Sequence, residues 1–418
     1  MGTLGVSHQC GHVFSVSVRH TLKHNMHVRI LQAWERGNGN HGKNTYLWRD
    51  LAWTLASADA PGTELRGLMV SVKDCFDVAG APTSLGTAFY RDLHGLATHD
   101  AWVVQQLRAA GAVLMGKTHL HPLAYGLTGE NPDFGDCLQP GDAGALTGGS
   151  SSGAAASVLE GSADAALATD TGGSIRVPAA LCGLAGYRAS LGRGDWQGAA
   201  HLAESFDTMG WLFRNLADGP RLGAVFGPVE SGAPYRRFAV VDDEFLHDCD
   251  PAIRAGLARG QRALEALGLQ AQPIAVPWWH DAAAIFAPIQ ASEAARHHQG
   301  HHHAFEPAIR QRLEWGASLG AEEMAAWRER HADFRRRMDA LLAEHELLLL
   351  PSAPVLRLAA GEDHGPTRAR LLRYTTPVSL AGLPAVSIPI SGSGGLQLAA
   401  AREDDGRLLH LAARLGNL

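Results

Sequence analysis

Two short turns hold the residues best suited to chemistry. The first is Gly148-Gly149-Ser150-Ser151-Ser152-Gly153; the second is Asp170-Thr171-Gly172-Gly173-Ser174-Ile175-Arg176-Val177-Pro178. A serine carried in a glycine turn can act as a nucleophile beside backbone N–H donors, since glycine leaves no Cβ in the way. Ser150 and Ser174 stand 24 residues apart, and two such turns suggest two hydroxyls meeting at one site. Glycine and serine are also the ordinary residues of surface turns, so taken alone the pair fits either reading.

The flanking elements read as α/β. Gly67-Leu68-Met69-Val70-Ser71-Val72 is an apolar run ending at Lys73-Asp74, the pattern of a buried strand. Residues 98–110 have helical spacing, with Trp102, Val103, Leu107 and Ala110 near one face and Thr98 or Asp100 as a cap. Ala112-Val113-Leu114-Met115 follows as a strand, so strand, helix and strand predict a βαβ unit and a mostly parallel sheet. Ala154 to Leu159 predicts a helix after the first serine turn, and Ala165 to Ala168 a small-residue strand entering the second. Further on, a helix capped near Asp250-Pro251 buries Ile253, Leu257, Ala263 and Leu264, and a strand follows over 272–276. Residues 280–345 are largely helical and charged, with Phe286, Ile289, Phe305, Ile309, Leu313 and Trp315 as an inner face. Residues 347–351 and 386–389 predict two more buried strands.

Residues 111–118, Gly-Ala-Val-Leu-Met-Gly-Lys-Thr, match the phosphate-loop pattern letter for letter. The match fails on physical grounds. A phosphate loop follows its strand, whereas Ala-Val-Leu-Met reads as the strand itself. Glu293, His297 and His301 recur every four residues, one face of a helix, with His298, His302 and His303 nearby. Such spacing suits metal ligands only with further donors, and a solvated helix end broken at Gly300 is the simpler reading. His119 and His121 read as packing or loop residues.

Composition narrows the classes. The chain has 418 residues, 46 % of them hydrophobic, enough for one large α/β domain. A net charge of −6 favours neither nucleic acid nor an anionic membrane as partner. Five scattered cysteines without CxxC spacing give neither a disulfide framework nor a zinc site, and suit a reducing, cytoplasmic setting. No apolar run reaches the roughly 18 residues of a membrane span, and no secretory signal is recognisable at the start. Residues 1–45 are rich in His, Asn and Gly and are set apart as an N-terminal extension of doubtful order. Residues 46–418 form the expected domain, with a more helical insertion at about 235–345.

Three separated motifs, in order and at the right spacing, resemble the amidase signature family. They are Ser71-Val72-Lys73-Asp74, the Gly148–Ser151 turn and the Asp170–Pro178 stretch. The resemblance runs from about residue 65 onward and implies a large mixed, mostly parallel sheet flanked by helices on both faces. It also implies a Ser–cisSer–Lys triad: Ser174 the nucleophile, Ser150 the bridging serine after a cis peptide bond, Lys73 the base. Type alone cannot rank Ser150, Ser151 and Ser152; the family spacing selects Ser150. Many relatives have glycine where this chain has Ser152.

The implied chemistry is coherent. A serine hydroxyl needs a base, an ammonium cannot be one, and burial disfavours the charged form of Lys73. The N–H groups of Thr171, Gly172, Gly173 and Ser174 would form the oxyanion hole. Asp170 and Arg176 would hold the nucleophile loop through a buried ion pair, and Ser151 would support Lys73 by a hydrogen bond. The blocks Ala124–Asn131 and Glu204–Trp211 resemble the indole-3-acetamide hydrolase branch, which places Ala124 and Tyr125 at the acyl pocket.

The resemblance thus implies a cofactor-free, metal-free amidase acting on a small-molecule amide, with arylacetamides as the leading substrate class and room for a homodimer. Carbamates and ureas share the carbonyl chemistry. A glutaminase-type component of an amidotransferase fits the shorter C-terminal region less well. A non-enzymatic docking domain conflicts with an intact Lys73, Ser150 and Ser174.

Overall fold

The computed structural model describes residues 25–37, 44–58, 62–392, 394–416 and 418. Its strands are β1 (Tyr46–Trp48), β2 (Met69–Lys73), β3 (Val113–Thr118), β4 (Leu138–Gln139), β5 (Asp142–Leu146), β6 (Ala165–Asp170), β7 (Ala185–Arg188), β8 (Thr208–Phe213), β9 (Arg237–Val241), β10 (Gln270–Ile274), β11 (Leu347–Pro351), β12 (Leu358–Ala359), β13 (Ala385–Pro389) and β14 (Gly395–Ala400). Eleven of them form one sheet in the order β1-β3-β2-β6-β8-β7-β13-β14-β11-β9-β10. A small sheet, β12-β5-β4, stands apart.

The large sheet is mixed, but it is not mostly parallel. The β2–β3, β2–β6, β9–β11 and β9–β10 pairs are parallel. The central run from β6 through β8, β7, β13 and β14 to β11 is antiparallel, as is β1 on β3. The βαβ logic holds where helices cross between neighbours. It fails where short connections fold strands back on each other, as between β13 and β14.

Small side chains set the spacing around the site. The Ser152–Glu160 helix lays Ala154, Ala155 and Val158 against Ala166, Ala168 and Leu212 of the sheet. Gly153 has no room for a side chain, since a Cβ there would lie 2.2 Å from the Thr45 carbonyl oxygen and 2.5 Å from the His119 nitrogen. The start of this helix is therefore pressed against the segment leaving β3.

Other expectations need correction. The Trp102–Ala109 helix begins after Ala101, with no side-chain cap. Asp100 instead accepts from the Ala79 N–H at 2.8 Å and pairs with Arg108, while the Thr98 hydroxyl pairs with His99. The helices Ala282–His297, Pro307–Ser318 and Ala321–His345 bury Phe286, Ile289, Ile309 and Leu313 as expected, but Trp315 is 42 % exposed. Residues 25–37 are helical, with Ile30 and Ala33 packed on Met69, Val113 and Met115. Among the described residues no helix is long and apolar enough to cross a membrane.

Candidate active site

Lys73 ends β2 and is fully buried. Its Nζ lies 2.8 Å from Ser150 Oγ and 2.8 Å from Thr169 Oγ1, with the Thr169 carbonyl at 3.5 Å. Burial lowers its pKa to about 8, against the opposing pull of Cys75, Asp170 and Asp207. At pH 7 roughly one molecule in ten then carries this amine neutral.

The three consecutive serines have different partners. The Gly149–Ser150 peptide is cis. Ser150 Oγ meets Lys73, Ser151 Oγ donates to the Thr169 carbonyl at 3.2 Å, and Ser152 Oγ lies 2.8 Å from His119 Nδ1. Ser151 therefore does not bond Lys73 as expected; it holds the backbone of the residue whose hydroxyl does. The turn is fixed from outside by Gly149 N–H donating to Leu127 O at 2.7 Å and His121 N–H donating to Ser150 O at 3.1 Å. The Ser151 N–H donates to Ser174 O at 3.3 Å, which ties the two turns together.

The second turn is organised by Asp170. Its carboxylate accepts from the N–H groups of Gly173 (2.8 Å) and Ile175 (3.1 Å) and from the guanidiniums of Arg176 (2.8 Å) and Arg188 (2.9 Å). Burial alone would raise the Asp170 pKa; Arg176 and Arg188 overcome it and hold the carboxyl well below the usual range. The Asp170–Arg176 pair is thus present as expected, and Arg188 is a second partner. Arg176 reaches further, to Thr375 O, Gln397 Oε1 and Ser379 Oγ. Thr171 Oγ1 donates to Asp207 at 2.7 Å, and Thr375 Oγ1 donates to Gly172 O. Gly173 has φ +123° and abuts Thr375, a conformation and a clearance that only glycine meets easily.

These bonds decide which donors remain. The Gly173 N–H is committed to Asp170, so it is not a free donor. The N–H groups of Thr171, Gly172 and Ser174, and the Ser174 hydroxyl, have no hydrogen-bond partner among the described residues. A cavity of about 510 Å³ lined by Leu181, Gly183, Ile390 and Leu418 lies elsewhere and includes none of these groups.

A buried lysine beside two linked serine turns is thus the geometry this chain presents. The Amidase family model matches residues 35–225 and 228–409. The chain belongs to the amidase family. It is similar to the indoleacetamide hydrolase of Pseudomonas syringae pv. syringae, 32 % identical over 382 residues, covering 83 % of this chain and 84 % of the relative. A glutamyl-tRNA(Gln) amidotransferase component from Thermus thermophilus is 32 % identical over 406 residues, covering 85 % and 86 %. A crystal structure of an amidase superposes with a TM-score of 0.83 at 29 % identity, over 93 % of this chain and 95 % of the other. The protein is accordingly an amide hydrolase of this family.

The remaining candidates of this amidase fall into place around the turns. Ala124 and Tyr125 are buried in the 122–127 segment, where Leu123 and Ala124 have positive φ and Leu127 braces the cis peptide. The phosphate-loop lookalike is β3, and its Lys117 makes a buried ion pair with Asp74 at 2.6 Å. The spaced Glu293, His297 and His301 diverge. Glu293 accepts from Ser205, His297 leans on Glu204, and His301 packs on Phe89. His119 is a neutral link, its pKa lowered to about 4 by burial.

Sequence reasoning missed Thr169, Arg188, Asp207 and Thr375. Thr169 carried a signal, as a hydroxyl residue directly before Asp170 on a strand of alanines. Arg188 carried a weaker one, a cation closing a short apolar strand.

Proposed function

We propose that this amidase hydrolyses the C–N bond of small aryl amides such as arylacetamides through an acyl-enzyme on Ser174. The observation that carries the reading is the 2.8 Å contact between Lys73 Nζ and Ser150 Oγ, in a turn bonded to Ser174. Neutral Lys73 accepts the Ser150 proton while Ser150 Oγ accepts that of Ser174. Ser174 Oγ bonds the carbonyl carbon, and the carbonyl electron pair moves onto oxygen. The N–H groups of Thr171, Gly172 and Ser174 hold that oxyanion, each donor being worth about 3 kcal/mol in such sites. As the C–N bond breaks, Ser150 protonates the departing nitrogen and recovers a proton from the Lys73 ammonium. Water repeats the sequence on the ester.

Support for an aryl group comes from the walls and from one relative. A Cβ on Gly172 would lie 3.0 Å from the Phe286 ring and 3.4 Å from Leu372, and buried Tyr125 is two residues before Leu127, whose carbonyl accepts from Gly149 of the first turn. The indoleacetamide hydrolase is named for an arylacetamide. The test is covalent labelling by a fluorophosphonate, with the modified peptide located by mass spectrometry, alongside turnover of an arylacetamide panel. Labelling of Ser174, lost in Ser174→Ala together with turnover, is the expected result. Labelling elsewhere, or turnover that survives in Ser174→Ala, refutes the nucleophile assignment. Glutaminase activity appearing only with partner proteins would move the chain to the amidotransferase class.

A further inference from the structure

The Ala282–His297 helix grips the loop that leads into β8. Its Glu293 accepts from the Ser205 N–H at 3.0 Å and from the Ser205 hydroxyl at 2.6 Å. Arg296 pairs with Glu204 at 3.0 Å, and His297 Nε2 lies 3.5 Å from the same carboxylate. Arg188 donates to Phe206 O at 3.1 Å, and the Phe206 ring lies 4.6 Å from Phe286, the ring that Gly172 faces. Residues 204–206 are thus fixed one after another, close to the second turn.

Asp207 closes this loop and is buried. Its Oδ2 accepts from the N–H groups of Leu202 (2.9 Å) and Ala203 (3.0 Å) and meets His201 Nδ1 at 3.0 Å. A carboxylate can only accept, so Nδ1 carries the proton. Its Oδ1 accepts from the Thr171 hydroxyl at 2.7 Å. Two backbone donors already serve Oδ2, and the imidazole adds a charge-assisted bond that restrains the carboxylate from turning. The His201 ring is itself held, stacked 4.4 Å from Trp196 and 5.7 Å from His297. Thr171 has spent its hydroxyl on Asp207, while its N–H has no partner among the described residues. A chain of three side chains therefore runs from a ring that is 26 % exposed to a peptide N–H of the nucleophile turn.

We propose that His201, acting through Asp207, is a positioning residue that aims the Thr171 N–H at the oxyanion formed when Ser174 attacks. The inference rests on the hydrolase reading for the nucleophile and for the place of that oxyanion. An N–H preset on developing charge stabilises the transition state more than the bound substrate, so its loss shows in the chemical step. Without the imidazole the Asp207 carboxylate is freer to turn, and Thr171 turns with it. A small misdirection of a donor is enough to slow the step while binding is kept.

Phosphonylation of Ser174 by an alkyl fluorophosphonate tests this whatever the natural substrate is. Ser174 Oγ bonds phosphorus, its proton passes to the Ser150–Lys73 relay, fluoride leaves, and the phosphoryl oxygen takes up charge during the attack. The time courses are resolved into an affinity, KI, and a maximal rate, kinact. His201→Leu is expected to lower kinact about fivefold or more, with KI within about twofold of the wild type. His201→Asn, whose amide can donate from the place of Nδ1, should recover most of the loss. Thr171→Val should lower kinact about tenfold or more, and adding His201→Leu to it should lower kinact no further. A kinact unchanged by His201→Leu, a loss confined to KI or to the melting temperature, or losses that multiply in the double variant overturns the inference. If Thr171→Val does not fold, the contrast between His201→Leu and His201→Asn decides. A wild-type protein in which Ser174 is not phosphonylated removes the hydrolase reading and this inference with it, so the two failures are distinct.

Discussion

The Thr169 hydroxyl stands 2.8 Å from Lys73 Nζ, the same distance as the Ser150 hydroxyl. The lysine is therefore held between two oxygens, one on the neighbouring strand and one on the serine turn. Thr169→Val leaves the lysine buried with one acceptor fewer, which disfavours its charged form further. We expect the pH midpoint of kcat/KM to move to lower pH, and its alkaline plateau to fall several-fold because the amine loses one of the two oxygens that hold it. A pH profile of the variant beside the wild type checks both parts. A midpoint that rises would mean the hydroxyl does not stabilise the ammonium.

The pH dependence of activity follows from Lys73. Its pKa is lowered by burial to about 8, and the base must be neutral. Below about pH 8 kcat/KM should rise roughly tenfold per pH unit, then level off. Stability has the same sign. Between about pH 8 and 10.5 the unfolded chain binds a proton that the folded chain refuses, so stability increases with pH across that window and is level below it. In Lys73→Met, urea unfolding at several pH values should show this slope missing.

Asp170 pairs with two fully buried guanidiniums. Asp170→Asn keeps the shape but leaves Arg176 and Arg188 facing each other unpaired. The expected loss is about 3 to 5 kcal/mol of unfolding free energy. Adding Arg188→Gln should recover part of it, because only one cation then lacks a partner. Denaturant titration of the single and double variants measures this, and an additive loss would contradict the coupling.

Gly173→Ala places a Cβ 2.8 Å from Thr375 Cγ2 at a φ of +123°. The turn must shift, and with it the N–H of Ser174. We expect kcat to fall at least about 100-fold, in line with a displaced oxyanion donor. A drop confined to KM would place the damage in substrate binding.

Much of this was legible in residue order, because the relevant pieces are local. Lys73 ends an unbroken apolar strand, and Ser150 and Ser174 sit in glycine turns of distinctive composition. What escaped depends on contacts between distant segments. Nothing near residue 188 says that its cation will share a carboxylate with Arg176, and nothing near 375 says that its hydroxyl will cap Gly172. The strand directions from β6 to β11 are equally non-local, since β6 pairs with β8 and not with β7. Ser151 differs from its neighbours for a related reason. Adjacent hydroxyls look alike until the backbone assigns each a different neighbour. Asp100 has the type of a cap, but the nearby Ala79 N–H and Arg108 claim its carboxylate.

The reach of Arg176 to Thr375, Ser379 and Gln397 spans about 200 residues of chain. During synthesis Ser174 leaves the ribosome long before those residues exist. A growing chain thus carries Ser174 with no seat for the guanidinium that steadies its turn. The loop that carries Ser174 therefore takes its final form only after the Gly365–Leu380 helix and β14 have been made.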